Sequence, residues 1–295
     1  MLHTIIFVTG GAILALELLS SRILTPYFGV SLYIWSGILS ITLISLAGGY
    51  WYGGRLAAGR KQPPPPERLA YLYARMPALA ALAIVVACLA YPFLFHRLAQ
   101  INLVFGAFVA CIVILLVPLF VTSAMNPLLV AIMLRQSSAR NDLADAGAGR
   151  VFFISTLGSV AGVIVTAFGL IQYLSNFAAA LVIAIVLAAL PLAMLARPPL
   201  RIAERKPLAI TSGIALVASL GLLIGEHAYT DRLWPATWGG AEWKIERTYR
   251  SSFGTVKVLK SGPREGQPFT RVYFQDGLVQ NIVGSENRSL SLYTY

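Results

Sequence analysis

Two charged side chains interrupt the first apolar stretch of this chain, the carboxylate of Glu17 and the guanidinium of Arg22. A charged group at membrane depth is costly, and such groups commonly mark ion or substrate pathways or structural pairs. In a helix, Ser20 and Ser21 share a face with Glu17, whereas Arg22 lies about 140° away around the axis. Two interpretations of Glu17 stay open: a polar clamp held by these serines or by an arginine, and a carboxylate that handles a proton or a cation. Arg22 is predicted to reach the outer membrane interface.

The composition indicates which elements hold these residues. Of 295 residues, 57% are hydrophobic and only 12% are charged, whereas soluble domains carry about 25% charged residues. We therefore predict an all-α polytopic membrane bundle followed by a small antiparallel β-region. The net charge of +11 is interpreted as a topology signal, so no nucleic-acid partner is expected. Cys88 and Cys111 lie in apolar runs and are predicted to be packed core side chains, and no metal site is expected.

Seven segments are long enough for a transmembrane helix, which needs about 20 apolar residues. They are residues 4–24, 32–54, 77–98, 101–124, 151–173, 175–196 and 208–228. The fourth apolar run continues to Leu134, and Pro127 is predicted to kink it or to begin a short extension. Residues 1–228 form the predicted bundle and residues 229–241 a predicted interfacial linker.

Basic residues indicate how the bundle is oriented. Before residue 229, 12 of the 14 lysines and arginines fall on one side of the predicted bundle, and only Arg22 and Arg97 fall on the other. Because connections rich in basic residues stay in the cytoplasm, we expect a multi-pass protein of the cell (inner) membrane with a cytoplasmic amino terminus. The region after residue 228 is then non-cytoplasmic.

Small residues recur along the second and fifth segments. They are Gly49 and Gly53 in the second, and Gly158, Gly162, Thr166 and Gly169 in the fifth. Small side chains let two helix backbones approach closely, which supplies most of the attraction available in lipid. We interpret them as packing faces, and a substrate path is the alternative.

Residues 242–295 have the pattern of a β-region. Alternating runs cover residues 243–249, 255–260, 271–275 and 278–283. Asp276 and Gly277 separate the last two runs, and an Asp-Gly pair is typical of a two-residue hairpin turn. Such a short region buries too little surface to be stable alone, so we expect an incomplete domain that packs on something else. A helix is predicted to begin behind a serine cap at residue 285.

Two parts of the chain resemble membrane-embedded spermidine synthase-like proteins, in which a multi-helix bundle precedes an aminopropyltransferase domain. The first part comprises ALELLSSRILTPYFGVSLYIWSG, GGYWYGGRLA and, at the fifth segment, GRVFFISTLGSVAG. The second is the tail, where Phe253-Gly254, the run DGLVQ from Asp276 to Gln280, and Glu286 resemble the amino-terminal β-region of spermidine synthases. The resemblance implies a role in polyamine metabolism.

The resemblance also implies candidate substrate-binding residues, Asp276, Gln280 and Tyr293. Gln280 matches the glutamine of the family's Asp-Gly-x-x-Gln motif, which lies near the polyamine. The family's tyrosine after this motif is replaced by Ser289, and Tyr293 matches it only across a four-residue insertion. At the fifth segment the family usually has Asn-Thr where this chain has Ser155-Thr156.

The catalytic half of the family has no counterpart in these 295 residues. That half is a Rossmann-like fold that holds decarboxylated S-adenosylmethionine, the co-substrate of a complete family member, and it carries a catalytic aspartate. No catalytic residue and no cofactor are therefore assigned to this chain, which is expected to be inactive by itself. We expect its partners to be the lipid bilayer and either a catalytic aminopropyltransferase domain or subunit, or a second copy of the chain.

Three functions follow from these observations. The first is the integral membrane portion of a spermidine synthase-like protein. The second is a transporter-like bundle for a small, polyamine-like cation, suggested by Glu17 and by prolines within the apolar segments. The third is a non-catalytic membrane scaffold that binds a partner by strand pairing with its β-region.

Overall fold

The computed structural model describes residues 1–29, 31–59, 62–137, 144–197, 201–226, 228–229, 237–238, 241–251, 254–262, 269–275, 278–284, 286 and 288–289. Seven helices in these ranges are long and apolar enough to cross a membrane, which confirms the predicted bundle. We call them spans 1 to 7: Leu2–Phe28, Leu32–Ala58, Pro66–Ile101, Leu103–Arg135, Gly147–Tyr173, Asn176–Ala196 and Arg205–Ile224. The chain is a multi-pass membrane protein.

Span 3 begins at Pro66, well before the apolar segment that predicted it. Proline is tolerated in a first helical turn because its missing N–H would have no partner there. The helix has 36 residues and is therefore about 54 Å long, compared with a hydrocarbon core of about 30 Å. Its polar first turns extend beyond the hydrocarbon at the end of the bundle that carries the basic connections. We call this end the basic end and the opposite one the tail end.

Spans 4 and 5 each contain a π-helical turn. Span 4 is built from Leu103–Cys111, the π-helical Ile112–Leu116, Val117–Ser123 and Met125–Ser137. The π-helical turn ends just before Pro118, which has no N–H to continue the regular hydrogen-bond ladder. A helical extension of the fourth apolar run is observed as predicted, but it begins at Met125 rather than at Pro127. Span 5 is built from Ala144–Val165, the π-helical Thr166–Leu170 and Ile171–Tyr173.

Two clusters of buried apolar side chains fill the bundle. One joins the first turns of spans 1, 3 and 5 to the last turns of span 4 at the basic end, and includes Ile6, Tyr73 and Met125. The larger one fills the middle and the tail end, where Leu19 and Phe95 are fully buried. Both cysteines belong to this larger cluster, so their predicted role as core side chains is confirmed.

Glycines bring two pairs of helices into backbone contact, as predicted. A Cβ atom at Gly158 would lie 1.9 Å from the carbonyl oxygen of Phe7 in span 1, and one at Gly162 would lie 2.2 Å from that of Gly11. Likewise a Cβ atom at Gly53 would lie 2.3 Å from the carbonyl oxygen of Ala124 in span 4. The prediction is wrong for Gly169, which has open space around it.

The tail forms an antiparallel sheet in the order β1-β2-β3-β4-β5. Its strands are Thr237–Trp238, Ala241–Ser251, Gly254–Ser261, Thr270–Gln275 and Leu278–Gly284. Gln275 pairs with Leu278, which confirms a hairpin with a two-residue loop; the loop itself, Asp276 and Gly277, lies outside the described residues. The four predicted strands correspond to β2–β5. The sheet contacts the bundle where β2 lies against Ile171–Tyr173 at the end of span 5.

The helix predicted from residue 285 is not observed in the residues that the structure describes there. Ser289 instead forms an antiparallel bridge with Val283, and the amide of Gly284 donates to the carbonyl of Arg288. The chain therefore turns back along β5, because its backbone groups find partners on the free edge of that strand. This contact covers part of one of the two edges of the sheet, which reduces the edge left for strand pairing with a partner.

Candidate functional sites

Glu17 is partly buried on span 1, and its two neighbouring serines do not hold its carboxylate. The hydroxyl of Ser20 donates to the carbonyl of Glu17 at 2.7 Å, and that of Ser21 donates to the carbonyl of Leu18 at 2.8 Å. Within the described part of the chain the carboxylate has no hydrogen bond and no ion pair. A serine clamp is therefore wrong as an account of Glu17.

The packing of spans 1 and 5 defines the depth of Glu17. The hydroxyl of Ser159 donates to the carbonyl of Gly10 at 2.9 Å, and span 1 also packs on the π-helical Thr166–Leu170. Gly10 of span 1 lies beside Ser159 of span 5. Seven residues further along each helix, Glu17 of span 1 is therefore level with Thr166 of span 5, which is 1% exposed. The carboxylate thus lies at the level of a π-helical turn, a feature that is frequent at functional sites.

Arg22 lies one and a half turns further along span 1, towards the tail end. Its backbone carbonyl accepts a hydrogen bond of 3.4 Å from the side chain of Asn176, in the first turn of span 6. No ion pair joins Arg22 to Glu17 within the described residues. The two charges of span 1 are therefore not brought together.

Gln280 is exposed on β5 at an irregular position of the sheet. Tyr273 pairs with Asn281 and Phe274 with Val279, so Gln280 is the additional residue of a β-bulge. Bulges redirect a side chain and are common beside active sites. The other two candidates of this group, Asp276 and Tyr293, lie outside the described residues.

A second bulge places the carboxylate of Glu246 against Arg271. Glu246 is the additional residue of β2, between Ile245, which pairs with Leu259, and Arg247. The Arg271 guanidinium donates to both carboxylate oxygens of Glu246, at 2.8 and 3.1 Å. This bidentate hydrogen bond from Arg271 lowers the pKa of the Glu246 carboxyl below its ordinary value. The pair joins β2 to β4 across β3, in the sheet that carries Gln280.

A cluster of aromatic rings and the carboxylate of Glu226 lie at the tail end of the bundle. We call this chain of rings the aromatic latch, and its successive members lie 5.6–6.4 Å apart between ring centroids: Phe28, Phe95, Tyr27, Tyr91, Phe177, Tyr229 and Phe93. The hydroxyl of Ser175 donates to the Glu226 carboxylate and accepts from the amide of Ala178 at 2.9 Å. These contacts fasten the segment after span 7 to spans 1, 3 and 6.

No sequence pattern predicts the aromatic latch, although Tyr27 lies just after the first apolar segment. The other rings are far apart in the sequence, and the one available signal is that each lies near the same end of its apolar segment. Their close spacing leaves no room for a ligand between them, so the latch is interpreted as packing.

The described residues contain no cluster of three or more histidine, cysteine or carboxylate side chains that would hold a metal ion. One small cavity of about 10 Å³ lies in the core under Tyr91 and is lined by apolar side chains such as Leu19, Ile84 and Ile114. A site of this size holds about one water molecule, and its walls offer that water few polar partners. Comparison of the chain with family models, curated proteins and solved structures found no match.

Proposed function

We propose that this chain is the membrane-embedded part of a spermidine synthase-like protein, with a helical bundle that anchors an amine-binding β-region. The observation that carries the proposal is the position of Gln280. It follows a two-residue hairpin loop and stands at a bulge, exposed on β5. This is the arrangement in which the Asp-Gly-x-x-Gln motif would present its amide to a polyamine.

The chemistry assigned to the β-region is recognition of an ammonium group. The amide oxygen of Gln280 is an acceptor for an ammonium N–H. Its strand, β5, pairs with β4, which the Glu246–Arg271 pair links to β2. Decarboxylated S-adenosylmethionine is the co-substrate that the resemblance implies. Transfer of its aminopropyl group belongs to a catalytic domain or subunit rather than to residues described here.

Binding of putrescine and spermidine to the full chain in lipid nanodiscs, measured by titration calorimetry, tests the proposal. Gln280→Ala is expected to weaken binding by about tenfold, the value of one charge-assisted hydrogen bond. Thr248→Ala is the control, because this side chain is also exposed on the sheet but stands at a regular position. Equal affinity of wild type and Gln280→Ala would refute the proposal.

Transport of a small organic cation is the second candidate function, and the position of Glu17 favours it. A partly buried carboxylate without a described partner suits a cation that enters the bundle. Uptake of labelled putrescine into vesicles is expected to fall in Glu17→Gln and to stay unchanged in Glu204→Gln, which alters a carboxylate outside the spans. Equal uptake by Glu17→Gln and wild type would remove Glu17 from any transport function.

The proposed location is the cell (inner) membrane, with the basic end in the cytoplasm and the β-region outside. The asymmetry of basic residues supports this orientation. A reporter that is active in only one compartment, fused after Tyr295, is expected to signal a non-cytoplasmic carboxyl terminus. A cytoplasmic signal would reverse the assignment of both ends.

A further inference from the structure

Arg75 is a partly buried arginine near the basic end of span 3. Its guanidinium carbon lies 5.9 Å from the centre of the Tyr71 ring, in a cation–π contact. Its Nε atom is shielded from solvent and has no hydrogen-bond partner among the described residues. A buried donor without a partner is costly. No described carboxylate pairs with this guanidinium, and the side chain is partly exposed, so an acceptor supplied from outside the chain can reach its open side.

Other arginines of the bundle and sheet show how this fold normally satisfies a guanidinium. Arg135 donates to the carbonyls of Pro64 and Ala57, and Arg205 donates to that of Leu195 at 2.8 Å. Arg271 is held by a carboxylate. In the residues that the structure describes, Arg75 has neither kind of partner, although it is less accessible than an ordinary surface arginine.

The position of Arg75 along span 3 places it at the membrane interface. The apolar segment of this helix begins at residue 77, so Arg75 stands within one turn of the hydrocarbon boundary. Phosphate groups of phospholipids lie at this depth. The described residues of the basic end include nine lysines and arginines but only three carboxylates, Glu67, Asp145 and Glu204. Neither Glu67 nor Glu204 forms an ion pair with a described residue.

We propose that Arg75 binds the phosphate of an anionic phospholipid in the leaflet that meets the basic end. The planar guanidinium matches two phosphate oxygens at once, and the Tyr71 ring fixes its orientation. A lipid suits the position because its acyl chains lie along the apolar turns that follow Arg75, whereas its headgroup meets an excess of positive charge. This site is independent of amine binding at Gln280.

Native mass spectrometry of the full chain, released from nanodiscs containing equal amounts of phosphatidylglycerol and phosphatidylcholine, tests the proposal. Wild type is expected to retain phosphatidylglycerol preferentially, and Arg75→Gln to lower that preference about fivefold, the effect of one basic contact with an anionic lipid. Arg197→Gln is the matched control, because it removes the same charge from an exposed position at the same end. Equal losses in both variants would show a general charge effect and overturn the proposal.

Two further measurements keep the test decisive. Arg75→Lys keeps the positive charge and is expected to fold like wild type. It lacks the planar guanidinium that binds two phosphate oxygens, so it should lose part of the preference for phosphatidylglycerol. An unchanged preference for phosphatidylglycerol would overturn the bidentate assignment. Inorganic phosphate added to nanodiscs of phosphatidylcholine alone is expected to leave the thermal unfolding midpoint of the wild type unchanged. A rise in wild type that is missing in Arg75→Gln would identify a free anion as the ligand and overturn the lipid assignment.

Discussion

Replacement of Gly158 by alanine tests whether backbone contact between spans 1 and 5 holds the bundle together. The added Cβ atom would lie 1.9 Å from the carbonyl oxygen of Phe7 and 2.6 Å from its carbonyl carbon. Both are backbone atoms of a helix, so no rotation of a side chain relieves the contact. The two helices must separate by about 1 Å or more to restore van der Waals distances, which also weakens the hydrogen bond from Ser159 to Gly10.

The magnitude follows from two opposing terms. Overpacking of a well-packed interface costs about 1–3 kcal/mol, and an unrelieved backbone contact corresponds to the upper part of this range. Alanine in place of glycine stabilises a helix by about 1 kcal/mol. We therefore expect Gly158→Ala to lower the free energy of unfolding by about 2 kcal/mol.

Reversible unfolding of the full chain by sodium dodecyl sulfate in mixed micelles, followed by circular dichroism, measures this change. Gly213→Ala is the matched control, because Gly213 lies in regular helix of span 7 with open space around it. This variant is expected to be as stable as wild type or up to about 1 kcal/mol more stable. If Gly158→Ala is as stable as Gly213→Ala, the glycines of span 5 do not act through close packing, and a substrate path becomes the better interpretation.

Two further predictions concern the first turn of span 6 and the Glu246–Arg271 pair of the sheet. Ser175→Ala removes the hydroxyl that accepts from the amide of Ala178 and donates to the Glu226 carboxylate. We expect this change to lower the free energy of unfolding by about 1 kcal/mol in the same detergent assay. An unchanged free energy of unfolding would contradict the capping role of Ser175. Because Arg271 lowers the pKa of Glu246 in the folded sheet, the stabilisation by this pair is complete above the ordinary glutamate pKa and is lost as the pH falls through the lowered value. Hydrogen-exchange protection of β2–β4 should therefore decrease over that range in wild type, and Glu246→Gln should abolish the dependence.

The bundle and the strands were predictable because their signals are local. Long apolar runs, alternating residues and the Asp-Gly pair each specify a structure within a few positions. The start of span 3 was missed because residues 66–76 are too polar to count as membrane-spanning, although Tyr71, Tyr73 and Met76 are buried against other helices. Hydropathy measures what lipid tolerates, and these residues are buried by protein instead.

Side-chain partners were predicted less well, because they depend on contacts between distant parts of the chain. Helical spacing placed Ser20 beside Glu17, yet serine hydroxyls in a helix commonly donate to backbone carbonyls of the preceding turn, and this one does. The bond between Ser175 and Glu226 and the orphan Nε of Arg75 have no sequence signal at all. Only packing of whole helices decides which polar atoms find partners.

Span 5 contacts both span 1, which carries Glu17, and the sheet, which carries Gln280. The distance between these two candidate amine sites bears on whether they form one pathway. Span 1, which carries Glu17, packs on the π-helical Thr166–Leu170, and β2 lies against Ile171–Tyr173 directly after it. Gln280, however, is on β5, three strand spacings or about 14 Å from β2. Coupling over this distance needs an element with two discrete arrangements, whereas the backbones of β2–β4 pair in a single antiparallel register. We therefore expect the changes in putrescine affinity caused by Glu17→Gln and Gln280→Ala to add within about 0.5 kcal/mol in the double variant. A larger coupling energy would show that bundle and sheet bind one amine together.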